Sequence, residues 1–192
     1  MADDPAAKRA KVDQDQDPSV AETIKILKEQ SKSDKPAYAF NLNNFLDKDA
    51  EACSLNELVG RPVGVLQGLA ALGTEALSAR KVATVKDLAN WKFFKIANSL
   101  VTCELADESG GRDDASELNA NKAVDKAWET KSITEILDGP VSALQGLTEK
   151  DDENFAKVHV KSVRALGTWK YARWAEAICV LAENENLDHT SR

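Results

Sequence analysis

Apolar residues recur at helical spacing in two long segments of the chain. One segment follows Trp91 and the other follows Trp169, and in each the apolar positions lie three or four residues apart, on one face of a helix. The two stripes are Phe93, Ile96, Ala97, Leu100 and Val101, and Tyr171, Trp174, Ala175, Ile178 and Cys179. Patterns typical of strands are almost absent. The sequence therefore predicts an all-α fold whose longest helices are these two segments.

Both segments belong to an internal repeat. SLNELVGRPVGVLQGL, which starts at Ser54, aligns without a gap with SITEILDGPVSALQGL, which starts at Ser132. We call the separation between Ser54 and Ser132 the repeat offset. Identical pairs at this offset include Pro62 and Pro140, Gln67 and Gln145, Gly68 and Gly146, Val85 and Val163, Leu88 and Leu166, Trp91 and Trp169, and Lys92 and Lys170. A position that is kept in both copies is constrained by the repeated unit, whereas one that differs is free or specialised.

Each copy also carries the residue types that begin and end short helices. A serine with a glutamate three residues later forms a capping box, a proline suits the first turn of the next helix, a glycine permits a tight turn, and a hydroxyl residue caps the helix after it. These are Ser54, Glu57, Pro62, Gly68 and Thr84 in the first copy, and Ser132, Glu135, Pro140, Gly146 and Ser162 in the second. We therefore expect several short helices before each long one.

The repeat sets the expected domain organisation. Residues 1–36 are rich in Asp, Lys, Gln and Ser, so we expect a flexible tail, with a short amphipathic helix at Ser19–Gln30. A capping pattern at Asp114 predicts a connector helix that runs to about Trp128. The expected units are a tail at 1–36, a first helical unit at 37–107, a loop and connector helix at 108–131, a second helical unit at 132–187, and a tail at 188–192.

Two segments at the repeat offset are LQGLAALGTEALSARKVATVKDLA and LQGLTEKDDENFAKVHVKSVRALG. Each resembles the helix-hairpin-helix unit at the N-terminus of archaeal recombinases. The matching positions are Gly68 and Gly146 at the first hairpin glycine, Leu77 and Phe155 at the end of the following helix, Thr84-Val85 and Ser162-Val163 at the start of the next, and Leu88 and Leu166 at its close. The resemblance implies an all-α fold of two degenerate helix-hairpin-helix-like (SAM-like) bundles behind the tail.

The hairpins depart from the family pattern. They comprise Gly68, Leu69 and Ala70 in the first copy, and Gly146, Leu147 and Thr148 in the second. In nucleic-acid-binding members the glycines let backbone N–H groups approach a phosphate closely. Ala70 and Thr148 replace the second glycine, and acidic residues follow Thr148, among them Asp151. We expect the second hairpin to have lost phosphate binding and the first to retain at most weak contact.

A basic and aromatic set recurs around the start of each long helix. It consists of Lys86, Trp91, Lys92 and Lys95 in the first copy, and of Arg164, Trp169, Lys170 and Arg173 in the second. On one interpretation the cations bind phosphate or an acidic protein surface while the tryptophans stack on a base. On the other, the cations form a solvated face and the tryptophans pack in the core. The sequence leaves both interpretations open.

Composition narrows the function classes. The chain has 25 Lys and Arg against 32 Asp and Glu, a formal net charge of −7, so nucleic acid could bind only through a local basic face. We expect no membrane-spanning segment, since charges interrupt every apolar stretch. Three widely spaced cysteines and two histidines predict a reducing compartment and no metal site. No phosphate-binding loop, nucleophile motif or cofactor motif occurs, so we expect no catalytic residue and no cofactor.

A short basic cluster in the tail resembles a monopartite nuclear localisation signal. It consists of Lys8, Arg9 and Lys11, with proline, alanine and aspartate around it. An import receptor is therefore one possible partner, and the alternative is an ordinary solvated tail. The chain is expected to be nuclear or cytoplasmic.

Two functions remain open at this point. The first is a non-enzymatic protein-interaction module, an adaptor or structural subunit of a larger assembly, which the net acidity and the degenerate hairpins favour. The second is a nuclear protein that binds DNA or RNA with little sequence specificity through the repeated basic and aromatic helices.

Overall fold

The computed structural model describes residues 40–69, 71–108 and 115–188. Within these ranges the chain forms α1 (Leu55–Val59), α2 (Ala71–Ser78), α3 (Val85–Ala89), α4 (Lys92–Glu104), α5 (Ile133–Asp138), α6 (Glu149–Ala156), α7 (Val163–Gly167) and α8 (Lys170–Ala182). Short 3₁₀ turns occur at Asn43–Phe45, Val63–Val65, Asn121–Ala123, Lys126–Trp128 and Val141–Ala143. No strand is present in the described ranges. The predicted all-α class is confirmed.

The helices of the second half follow those of the first at a constant spacing. The starts of α2, α3 and α4 precede those of α6, α7 and α8 by the repeat offset, and the members of each pair have equal lengths. α1 and α5 begin at the same separation, although α5 extends one position further. The order of helices therefore repeats in register with the sequence.

Short-range capping explains where the short helices begin. Glu57 accepts a hydrogen bond from the Ser54 N–H at 2.8 Å, and Glu135 accepts one from the Ser132 N–H at 2.9 Å. The Ser132 N–H, with the Lys131 ammonium, lowers the pKa of Glu135 to about 2. The capping boxes predicted at Ser54 and Ser132 are therefore confirmed.

The long helix of each half packs mainly against short helices of the other half. α4 contacts α7 and α5, whereas α8 contacts α3 and α1. Side chains from both halves fill one core, and its fully buried members include Leu58, Leu66, Phe94, Leu137, Phe155, Leu166 and Ile178. Asn41–Asn186 therefore form one compact unit in which the halves interlock.

The predicted connector helix does not form in the described part of 108–131. The chain between residues 115 and 131 has only the two 3₁₀ turns Asn121–Ala123 and Lys126–Trp128. Its backbone bonds to the second half instead, since the Asp125 N–H donates to the Ala143 carbonyl at 2.9 Å. Val124 is buried there. Hydrogen bonds and burial against a distant segment thus override the local helix signal.

The same backbone arrangement occurs at the corresponding positions of the first half. The Gln145 N–H donates to the Ala123 carbonyl at 3.0 Å, and the equivalent bond from Gln67 to Phe45 is 2.8 Å long. The turns Asn43–Phe45 and Asn121–Ala123 are likewise separated by the repeat offset. Matching backbone hydrogen bonds in the two halves therefore include residues that precede Ser54, the first residue of the sequence repeat.

We expect Gly167→Ala to destabilise the protein by about 1 to 3 kcal/mol. A Cβ at residue 167 would lie 2.5 Å from the carbonyl oxygen of Ala97, so α7 and α4 would have to separate. Alanine is favoured over glycine in a helix by about 1 kcal/mol, which the clash with backbone outweighs. Urea denaturation followed by circular dichroism measures the change.

Gly64→Ala is the matched control, because a Cβ there meets only the Thr74 hydroxyl at 3.8 Å. Equal stabilities of both variants and the parent chain would contradict the close approach of α7 and α4.

Candidate interaction surface

The hairpin glycines adopt the left-handed conformation that the turn requires. φ is +84° at Gly68 and +102° at Gly146. A Cβ at Gly68 would lie 3.1 Å from the Tyr171 hydroxyl, and one at Gly146 would lie 3.5 Å from the Phe93 ring. Tyr171 and Phe93 are the corresponding residues of α8 and α4. Each glycine thus also makes room for an aromatic side chain of the other half.

An internal carboxylate occupies the second hairpin. Asp151 is only 4% exposed and accepts hydrogen bonds from the Thr148 N–H and hydroxyl, both at 2.7 Å. It forms a salt bridge with Arg80 of the first half. Arg80 also donates to the Gly146 carbonyl at 3.2 Å. A phosphate at the start of α6 would need the Thr148 N–H. That group already donates to Asp151 of the same chain.

The two tryptophans of the predicted surface belong to the core. Trp91 and Trp169 are each 7% exposed. Phe155 lies between them, with ring centroids 5.4 Å from Trp91 and 6.3 Å from Trp169. Neither indole can stack on an incoming base, so the core interpretation is the correct one. Each tryptophan is the N-cap residue of a long helix, and its side chain packs in the core that the two halves share.

Arg164, another cation of the predicted surface, is paired with carboxylates of the same chain. Its guanidinium donates to Glu104 at 2.8 Å and to Asp138 at 2.9 Å. The hydrogen bonds from Arg164, and one from the Thr134 hydroxyl, lower the pKa of Glu104, while the two carboxylates raise the pKa of Arg164. Arg164 therefore neutralises carboxylates of its own chain.

The other five predicted cations are exposed. Lys92 lies 4.5 Å from the centre of the Phe93 ring, and Lys170 lies 4.7 Å from the centre of Tyr171. Arg173 reaches Asn98 at 3.5 Å. Lys86 and Lys95, in contrast, line the same cavity. The lysines over aromatic rings fit the interpretation of a solvated face whose stems cover apolar surface.

That cavity is an open groove between α1, α3, α4 and α8, with a volume of about 350 Å³. Its apolar lining is Val59, Ala89, Cys179, Val180 and Ala182, and its polar lining is Asn56, Lys86, Asn90, Lys95, Glu176 and Glu183. Val180 is 56% exposed. Only Lys86 and Lys95 of this set were predicted from the sequence, because the remaining residues carry no motif.

The Cys179 thiol lies in the groove without the features of a reactive cysteine. Burial raises its pKa, against the smaller opposing effect of Lys86 and Lys95. The thiol therefore stays protonated near neutral pH. Among the described residues no cluster of His, Cys, Asp and Glu could hold a metal ion. No helix of the described ranges combines the length and apolar character that crossing a bilayer requires.

Several predicted features lie outside the described residues. They are the import-like residues Lys8, Arg9 and Lys11, the tail helix at Ser19–Gln30, and Ala70 of the first hairpin.

Comparison of the chain with models of protein families, with curated proteins and with solved structures finds no match.

Proposed function

We propose that the chain is a non-enzymatic protein-interaction module, an adaptor or structural subunit of a larger assembly. The observation that carries the proposal is the groove, which combines an apolar lining and the exposed side chain of Val180 with two lysines and two glutamates. Its volume of about 350 Å³ falls within the usual range of binding sites, and its open form suits a side chain of a partner protein.

We further propose that the module consists of two copies of one helix-hairpin-helix-like unit. The constant spacing between corresponding helices, equal to the repeat offset, supports this interpretation, as do the matching conformations of Gly68 and Gly146. The hairpins then serve the contact between the copies, because Tyr171 and Phe93 each approach the hairpin glycine of the other copy.

Cross-linking at the groove tests the proposal. A photoreactive amino acid replaces Val180 in the full chain, and a matched control carries it at Leu118, which is 85% exposed. We expect a discrete cross-linked protein from cell extract at position 180 alone. The purified partner should then bind the unmodified chain in a two-component assay. No position-dependent cross-link, or no binding by the purified partner, would contradict the proposal.

Binding of DNA or RNA is the alternative, and we expect it to be absent or weak. Five cations of the original set remain exposed, but the chain has a net charge of −7 and both tryptophans of the set are buried. Fluorescence anisotropy with labelled duplex and single strands, between about 50 and 200 mM salt, measures the affinity and its salt slope.

Charge reversal at Lys92, Lys95, Lys170 and Arg173 separates the two functions. Micromolar binding with a steep salt slope that these changes abolish would establish the nucleic-acid alternative. Weak binding that they leave unchanged agrees with the protein-interaction module.

A further inference from the structure

Lys86 and Arg164 occupy the same position in the two halves but have different surroundings. Each is the second residue of its helix, α3 or α7. Arg164 is held between Glu104 and Asp138, and the Thr134 hydroxyl also donates to Glu104, at 3.0 Å. At this site the second half provides the cation and Asp138, and the end of α4 provides Glu104.

The equivalent site around Lys86 lacks the two carboxylates. At the repeat offset Ala182 corresponds to Glu104, and Gly60 corresponds to Asp138. In the part of the chain that the structure describes, Lys86 forms no salt bridge. The ion-pair cluster around Arg164 is thus replaced here by the groove, with Lys86 at its edge.

The charges that line the groove come from different helices. Lys86 and Lys95 line it from α3 and α4, while Glu176 and Glu183 line it from α8 and its C-terminal end. A single carboxylate needs to reach only Lys86 and Lys95. A polyphosphate backbone would bring negative charge to both sides, and the glutamates would repel it.

The apolar lining of the groove favours an aliphatic side chain in the same partner. Val59, Ala89 and Val180 offer apolar surface beside the lysines. A peptide that places an aliphatic side chain there would bury area that Val180 now exposes to solvent. A carboxylate next to that side chain would then make a charge-assisted hydrogen bond in a partly desolvated site.

We propose that the groove binds an acidic peptide segment of a partner protein. The carboxylate of an Asp or Glu pairs with Lys86, as Glu104 pairs with Arg164 at the equivalent site, and a neighbouring aliphatic side chain packs against Val180. This assignment rests on the proposed function and names the chemistry of the partner.

Binding of a matched pair of labelled peptides to the full chain tests the assignment. Both peptides present leucines on one face of a short helix, and they carry glutamates beside the leucines in one case and glutamines in the other. We expect the glutamate peptide to bind at least about tenfold more tightly, because one charge-assisted hydrogen bond separates the two.

Three variants locate the contact. Lys86→Gln should weaken binding of the glutamate peptide by about tenfold and leave the glutamine peptide unaffected. Ala182→Glu should also abolish the preference, because it supplies a carboxylate at the position that Glu104 occupies in the other half. Lys92→Gln, which changes an exposed lysine beside the second hairpin, should have no effect.

Alkylation of cysteines gives a readout that does not depend on any variant. Cys179 lines the groove, whereas Cys103 is exposed elsewhere on the chain. The bound glutamate peptide should slow modification of Cys179 and leave the rate at Cys103 unchanged.

Several outcomes would overturn the assignment. Equal binding of both peptides, no binding of either, or binding that Lys86→Gln leaves unchanged would each exclude an acidic partner. Self-association that Lys86→Gln abolishes would assign the groove to a second copy of the chain. If the cross-link at position 180 persists while both peptides fail, the proposed function stands and only the chemistry of its partner is wrong. If the cross-link is absent as well, the proposed function fails too.

Discussion

Phe155→Ala is expected to lower the free energy of unfolding by about 3 to 5 kcal/mol. Phe155 has 0% exposure and lies between Trp91 of the first half and Trp169 of the second. Removing its ring leaves a cavity where the two halves meet, and the surrounding helices cannot close it without moving apart elsewhere. Urea denaturation followed by far-ultraviolet circular dichroism, which reports helix content, measures the loss.

Phe155→Leu provides the control for this prediction. Leu77 occupies the corresponding position of the first half and is equally buried. Replacement by leucine retains most of the buried apolar volume, so we expect a loss below about 1.5 kcal/mol. If Phe155→Ala unfolds at the same urea concentration as the parent chain, Phe155 does not join the two halves in one core.

Local signals made much of the helical framework predictable. The capping boxes at Ser54 and Ser132 depend on atoms within three residues of each other, so the sequence contains all that is needed to recognise them. The apolar stripes after Trp91 and Trp169 likewise identify the buried face of each long helix.

The partner of each apolar face could not be predicted. The stripe of α4 would suit packing against its own half as well as against α7, because apolar surfaces are not specific at this level. Close approach selects between the two, since Gly167 lets α7 meet the backbone of α4 at Ala97. That role of a single glycine has no signature in one sequence.

The basic and aromatic set illustrates how one pattern supports opposite interpretations. Trp91 and Trp169 were expected either to stack on a base or to pack in the core, and residue type alone cannot separate these roles. Their exposure of 7% decides for packing. The sequence does not indicate the partners of Arg164, because Glu104 lies 60 residues away in the chain.

The groove was missed for a related reason. It is lined by Ala182, which stands in place of Glu104, and a small apolar residue carries no sequence motif of a binding site. At the repeat offset, Ala182 aligns with Glu104 and Gly60 with Asp138. The sequence does not show that α8 packs on α3, so it does not show that Ala182 lies near Lys86.

Removing either member of the Arg80–Asp151 pair is expected to destabilise the protein by about 3 to 5 kcal/mol. The Asp151 side chain is 6% exposed and that of Arg80 is 25% exposed, so each charge loses its main compensation when the other is removed. The single variants are Arg80→Met and Asp151→Leu, and Asp151→Leu also leaves the Thr148 N–H without its acceptor. Lys131→Met, which breaks an exposed ion pair at the start of α5, should cause little change.

The double variant Arg80→Met with Asp151→Leu separates a mutual interaction from two independent losses. It removes both charges together, so we expect it to be more stable than the sum of the single losses predicts. Strict additivity in urea denaturation would mean that the two side chains do not stabilise each other. Coupling would instead establish that Asp151 joins the second hairpin to Arg80 of the first half, and the second hairpin would then have a structural role.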